Sequence, residues 1–210
     1  MSSDYLTLKQ SAEERLTIQK SIFIGHAAPC ASESDALNLI SEMKSAYKDA
    51  SHHCYAYIIG KNEGILRYSD DREPSGTAGL PILSLLRAEK LVNCCVVVTR
   101  YFGGILLGTG GLVRAYTQAC RQAVDAAGIV CMELSCRDLC EVPYPYWERI
   151  QYAIDRLPAK MTDIAYGSAV TFTLVTRKKD REYILDTLAN ASQRTLEMLP
   201  DEEGYEAWDT

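Results

Sequence analysis

The 210-residue chain contains no uninterrupted apolar stretch approaching the roughly 20 residues that a membrane-spanning helix needs. That excludes an integral helical membrane protein. Positive charge is not in excess either: 22 Lys and Arg stand against 28 Asp and Glu, a net charge of −6. A basic surface field for general polyanion binding is thereby excluded, and any nucleic-acid contact must be local. No CxxC pair accompanies the eight cysteines, several of which lie in apolar runs such as CCVVV, where cysteine acts as a small hydrophobe. Disulfide and metal readings therefore fit poorly, and a cytoplasmic protein with reduced thiols and no metal is expected. The opening MSSDYLTLKQSAEERL lacks the basic-then-apolar layout of a secretory signal. GxxxxGK[ST] is also missing, and with it the usual phosphate lysine of a Walker loop.

What is present is ordinary globular material, 47% apolar and 24% charged, enough to bury a sizeable core. Charge shifts near residue 135. Residues 1–135 carry 13 basic and 14 acidic side chains, and residues 136–210 carry 9 and 14. Two domains with that boundary are expected, 1–135 and 136–210.

In the first, Leu16, Ile18, Ile22 and Ile24 alternate with polar residues as a half-buried strand does. Leu37, Ile40, Met43 and Tyr47 recur at helical spacing, with Ser32 or Ser34 as N-cap. Strands at 54–59 and 65–68 flank GKNEG as a hairpin. A helix follows from about Thr77 or Leu80. The run at 94–99 predicts a central strand covered on both faces. The next helix carries Leu112, Val113, Tyr116, Cys120, Ala123, Val124 and Ala127 and closes at Gly128. In the second domain, strand 138–142, helix 146–157, strands 161–166 and 170–176, helix 180–191 and strand 195–199 spell βαββαβ, the ferredoxin-like plan. The acidic DEEGYEAWDT end is expected to fray. The fold class is α+β.

Two glycine-rich segments, EPSGTAG and FGGILLGTGG, each feed the start of a helix. Free N–H groups there attract anions, and glycine lets a ligand approach the backbone. Ser75, Gly76, Thr77, Gly103, Gly104, Thr109, Gly110 and Gly111 are thus candidate anion contacts, with Arg100 and Arg114 supplying charge. Arg100 falls at the C-terminal end of the central strand, where α/β sheets tend to place ligands. Tight turns and N-caps are the plainer reading of the same residues. Asp70, Asp71 and Glu73 form the tight carboxylate cluster, which fits an Mg²⁺ site, an acid/base pair or an exposed turn. His52 and Cys54 share one face of a strand. They line a site or simply pack, and the second is favoured over a nucleophile because no third orienting group is evident.

DDREPSGTAGLPIL (70–83) followed by VVVTRYFGGILLGTGGLVRAYTQA (96–119) resembles the IMPACT/YigZ family, supported by KSIFIGHA (20–27) and HHCYAY (52–57). The resemblance covers nearly the whole chain. It implies an N-terminal domain like the second domain of a small-subunit ribosomal protein and a C-terminal domain like that of an elongation factor. Arg72 stands where the family usually has Gly, which stiffens the turn or adds a charge. Eukaryotic relatives act in translational control through a partner protein. The expected function is therefore a non-enzymatic factor in translation or its regulation, contacting RNA or a ribosome-associated protein through the glycine-rich face, with no cofactor. The alternatives are an enzyme for a phosphorylated or nucleotide-like small molecule, and a protein–protein adaptor.

Overall fold

The structure is a computed structural model describing residues 4–62 and 64–209, among which it forms ten strands and five helices. Among these residues no helix is long and apolar enough to cross a membrane. In chain order the first elements are β1 (Tyr5–Leu8), β2 (Ala12–Ile18), β3 (Ser21–Pro29), α1 (Glu33–Ala46), β4 (His52–Ile59) and β5 (Ile65–Ser69). Then come α2 (Gly79–Ala88), β6 (Cys94–Tyr101), α3 (Gly108–Ala127) and β7 (Ile129–Val142). The last are α4 (Tyr144–Ile154), β8 (Ala159–Tyr166), β9 (Val170–Arg177), α5 (Arg181–Ala191) and β10 (Glu197–Asp209). The fold is α+β. Contacts divide it into two compact units, Tyr5–Met132 with the residues from Ala207, and Glu133–Glu206 with Asp4.

In the first unit, five antiparallel strands run in the order β2-β3-β6-β4-β5. The apolar run at 94–98 is indeed central and covered on both faces. Its side chains alternate as strand geometry requires. Cys94, Val96 and Val98 enter the layer containing α2 and α3, while Cys95 and Val97 enter the layer containing α1. Extending the alternation puts Arg100 on the α2/α3 side and Thr99 on the α1 side. The register then pairs Arg100 with His52 and Thr99 with His53 across β6 and β4. Because the sheet is wholly antiparallel, the ligand rule for parallel α/β sheets does not apply to Arg100; its neighbours on the face decide its role.

Local signals account for the boundaries. Ser32 and Asp35 close a capping box at α1, at 3.2 Å and 2.9 Å. Gly128, with φ of 70°, stops α3. The β2–β3 turn at Gln19 and Lys20 has φ of 44° and 67° without the Asn-Gly that normally announces such a turn. Arg72 also has a left-handed φ, 71°, in the region where glycine is favoured. Its side chain is exposed and lies in the turn's periphery. Arg72→Gly is expected to stabilise the protein by about 0.5–1 kcal/mol, the left-handed penalty less the extra chain entropy of glycine. Urea denaturation of the two proteins checks this; a destabilised variant would contradict it.

Burial holds His53 below the ordinary imidazole value of 6.5, against the opposing pull of Asp71. Burial does the same to His26, against Glu13 and Glu42. Both rings therefore bind protons less readily in the folded chain, and the unfolded chain takes up protons first as pH falls. Stability is complete above about 6.5 and is lost as pH drops below it. Thermal melts should show Tm falling between neutral pH and mild acid, with a shallower fall in His53→Gln. Equal slopes would rule this origin out.

The second unit has the βαββαβ order, its strands running β7-β9-β8 with β10 also on β7; β1 adds a fifth strand to this sheet by pairing Tyr5–Leu8 with Ile129–Met132 at the start of β7. Trp147, Ile150 and Ile154 of α4 and Ile184 and Leu188 of α5 pack on Cys140, Val142, Phe172 and Leu174. This is the ferredoxin-like plan. Two expectations need correction here. β7 begins at Ile129, well before 138, because the chain enters it directly from the Gly128 cap. Residues 201–209 of the acidic end do not fray: they belong to β10, tied by Glu203 to Lys178 at 2.7 Å and by Glu206 to Arg137 at 2.8 Å, while Thr210 lies outside the described residues. Trp208 within it is only 5% exposed.

Candidate functional site

The site grows from one buried carboxylate. Glu73 leaves the 70–78 loop and points inward, where its Oε1 accepts from Arg100 Nη1 at 2.7 Å and from the Tyr116 hydroxyl at 2.7 Å. Arg100 is 4% exposed. Its other terminal nitrogen donates to Ser21 Oγ at 3.3 Å, and its guanidinium lies between the Phe23 and Phe102 rings, 5.3 and 5.4 Å from their centroids. His52 completes the group. Its Nδ1 is 2.9 Å from the Asp71 carbonyl oxygen, to which it donates, leaving Nε2 3.9 Å from Glu73 Oε1. Burial drives the Tyr116 phenol well above its ordinary value, with Cys54 and Glu73 adding to the shift, so the group is a fixed donor.

Around this group lies a cavity of about 400 Å³. His52, Glu73 and Arg100 form its polar wall, Phe102, Leu106 and Leu112 its apolar one, and Gly108 and Thr109 its edge at the start of α3. The 102–107 loop carries no charge and shows solvent Phe102, Ile105 and above all Leu106, 86% exposed. Gly103 fixes this loop in place: a Cβ there would overlap the backbone of Lys20, and its N–H donates to Ser21 Oγ at 3.1 Å. Gly104, with φ of 81°, needs glycine for its conformation instead.

The two candidate arginines do not meet in one anion pocket. Arg100 is neutralised internally by Glu73. Arg114 is exposed on α3 and lines a different cavity, between α2 and α3, together with Gly76. The α2 entrance is already filled by an internal anion: Asp70 Oδ2 accepts from Gly76 N at 2.8 Å, and Oδ1 accepts from Ala78 N at 3.0 Å and Gly79 N at 2.8 Å. Thr77 is buried, its hydroxyl donating to the Pro74 carbonyl at 2.6 Å, while Ser75 stays on the exposed turn. At the α3 entrance Thr109 borders the cavity, and Gly110 and Gly111 lie beyond it.

The carboxylate cluster likewise disperses. Asp70 caps α2, Asp71 accepts from His53 N at 2.7 Å, and Glu73 holds Arg100. Among the described residues no three His, Cys, Asp or Glu side chains are grouped to hold a metal ion. Cys54 is fully buried, donating to the Asp70 carbonyl at 3.0 Å, and burial drives its thiol far above the ordinary value. Its thiol is packed inside the first unit.

Residues 19–124 match the family described as the Impact N-terminal domain. Over 180 residues the chain is 36% identical to the IMPACT family member YvyE of Bacillus subtilis, covering 86% of this chain and 83% of that one. The chain belongs to the IMPACT family. A crystal structure of a hypothetical protein aligns with it over 96% of this chain and 98% of the other, at 29% identity and a TM-score of 0.61. The solved two-domain translational regulator Yih1 is 27% identical over 59% of this chain and 47% of its own, with a TM-score of 0.35.

The segments that mark this chain as an IMPACT protein each send a residue to the same place. KSIFIGHA contributes Ser21 and Phe23, HHCYAY contributes His52, the 70–79 loop Glu73, and the second long segment Arg100, Phe102 and Tyr116. Sequence reasoning singled out His52, Glu73 and Arg100 but missed Ser21, Phe23, Phe102 and Tyr116. Tyr116 reads as an ordinary inward helix position, and the signal that could have found it is a hydroxyl on an otherwise apolar stripe.

Proposed function

We propose that this IMPACT protein is a regulator of translation that works by binding a ribosome-associated protein through its 102–107 loop, without catalysis of its own. One observation carries the choice of protein over RNA: the glycine-rich face presents exposed apolar side chains, while Arg100 is neutralised by Glu73 and the α2 amides by Asp70. RNA affinity needs cations free to displace counterions. Exposed apolar patches instead mark protein contact. Membership of a family in which Yih1 is a translational regulator supports the process.

Co-sedimentation of the full chain with host ribosomes tests the reading. Association should persist at raised salt and after nuclease treatment of unprotected RNA, and Leu106→Asp should abolish it. Leu106 is suited to this because its side chain is exposed, whereas Arg100→Ala would unbalance a buried pair. Association that vanishes with salt, or survives Leu106→Asp, overturns the proposal.

A second reading, an enzyme or binding protein for a small anionic molecule, is favoured by one feature. α3 starts without a side-chain cap, and its first residues, Gly108 and Thr109, border the cavity. Titration calorimetry against nucleotides and sugar phosphates, with and without Mg²⁺, decides it; absence of heat at high concentration removes it.

A further inference from the structure

The second cavity of the first unit, about 880 Å³ in volume, is a groove between α2 and α3. Its walls have matching spacing. On α2 the lining positions are 80, 81, 84, 85 and 88, and on α3 they are 113, 114, 117, 118 and 121. Each set repeats at one and four residues, so each is a single stripe along its helix, running for about 12 Å or two turns. The floor is apolar, and two of its larger side chains remain open to solvent: Leu80 is 43% and Val113 37% exposed. No lining residue is acidic, although the chain as a whole has a net charge of −6. Arg121 is held by Glu89 at 2.7 Å. Arg114 has no carboxylate partner among the described residues, and its charge stands uncompensated at the groove.

We propose that this groove binds an amphipathic helix of another protein, two to three turns long, whose flank carries a carboxylate for Arg114. Two helical walls with an apolar floor suit a third helix laid between them, with anchors at i, i+3/i+4 and i+7. The missing partner of Arg114 supplies the sign of the charge on that helix. A second copy of this chain fits badly, because a two-fold contact through the groove would bring Arg114 against its own copy with no acid in the lining to separate them. Nucleic acid would leave the apolar floor uncovered. The groove shares no lining residue with the cavity at Arg100, so the outcome here is independent of the loop reading above.

The test places a photo-crosslinking amino acid at Val113 of the full chain in its host cell and maps the adduct by mass spectrometry. The expected adduct is a helical segment of another protein with an Asp or Glu beside its apolar stripe. Arg114→Glu should reduce the yield at least tenfold, and replacing that partner acid by Arg should restore it. Arg114 is exposed, so circular dichroism should show the variant folded as the parent is. The proposal is overturned by no adduct, by an adduct to nucleic acid or a second copy, by a segment without an acid, or by a yield that Arg114→Glu leaves unchanged.

Discussion

Glu73→Ala is expected to destabilise the first unit by about 3–5 kcal/mol, the cost of breaking a buried ion pair. The reason lies in what remains behind. Arg100 would keep its charge while 4% exposed, and the Tyr116 hydroxyl would lose its acceptor. Neither group lies open to water: the guanidinium sits over Phe23 and Phe102, and Tyr116 is fully buried. Breaking a buried pair differs from removing it: the double variant Glu73→Leu, Arg100→Met should recover most of the loss, since no charge is then stranded. Urea denaturation gives the magnitude, and native-state hydrogen exchange of the α3 amides assigns it to this unit. A loss below about 1 kcal/mol would mean that the pair is solvated and that the site is not preorganised.

Asp70→Ala should cost about 2–4 kcal/mol, by a different route. Its carboxylate satisfies three backbone N–H groups at the entrance to α2, and charge-assisted bonds of this kind are worth more than neutral ones. Asp70→Asn should lose about half as much. The amide oxygen can still serve Ala78 and Gly79, but its nitrogen meets the Gly76 N–H as donor against donor. The alanine variant should also acquire a dependence that the parent lacks. With the internal anion gone, sulfate should raise its Tm by occupying the vacated helix entrance. Equal sulfate responses in parent and variant would show that Asp70 does not fill an anion position.

That second prediction marks where reading the sequence stopped short. The backbone N–H groups of EPSGTAG, at Gly76, Ala78 and Gly79, do form an anion-binding turn, and the hydroxyls of Ser75 and Thr77 take no part in it. The anion is Asp70, from five residues before Ser75 in the same loop, and spacing alone cannot distinguish an internal ligand from an external one. Arg100 and Arg114 illustrate the same limit. Both sit in one long motif, yet the strand's alternation sends Arg100 inward to Glu73 while the turn of α3 sends Arg114 out to the groove. The Asp70, Asp71 and Glu73 cluster was visible as composition, and the backbone at Asp71 and Arg72, with φ of 39° and 71°, pointed its members in different directions.

The sequence by itself determined the central strand at 94–99, an α1 cap at Ser32 or Ser34, the stop at Gly128, the βαββαβ order and the family. Each of these rests on local periodicity, local capping chemistry or a long ordered motif. Tertiary structure decided the pairing of His52 with Arg100, the capture of Arg100 by Glu73, the paired acids that make the C-terminal tail a strand, and the free charge of Arg114. Those depend on which faces meet across segments up to about eighty residues apart, and a charged side chain's role is set by the partner that meets it there.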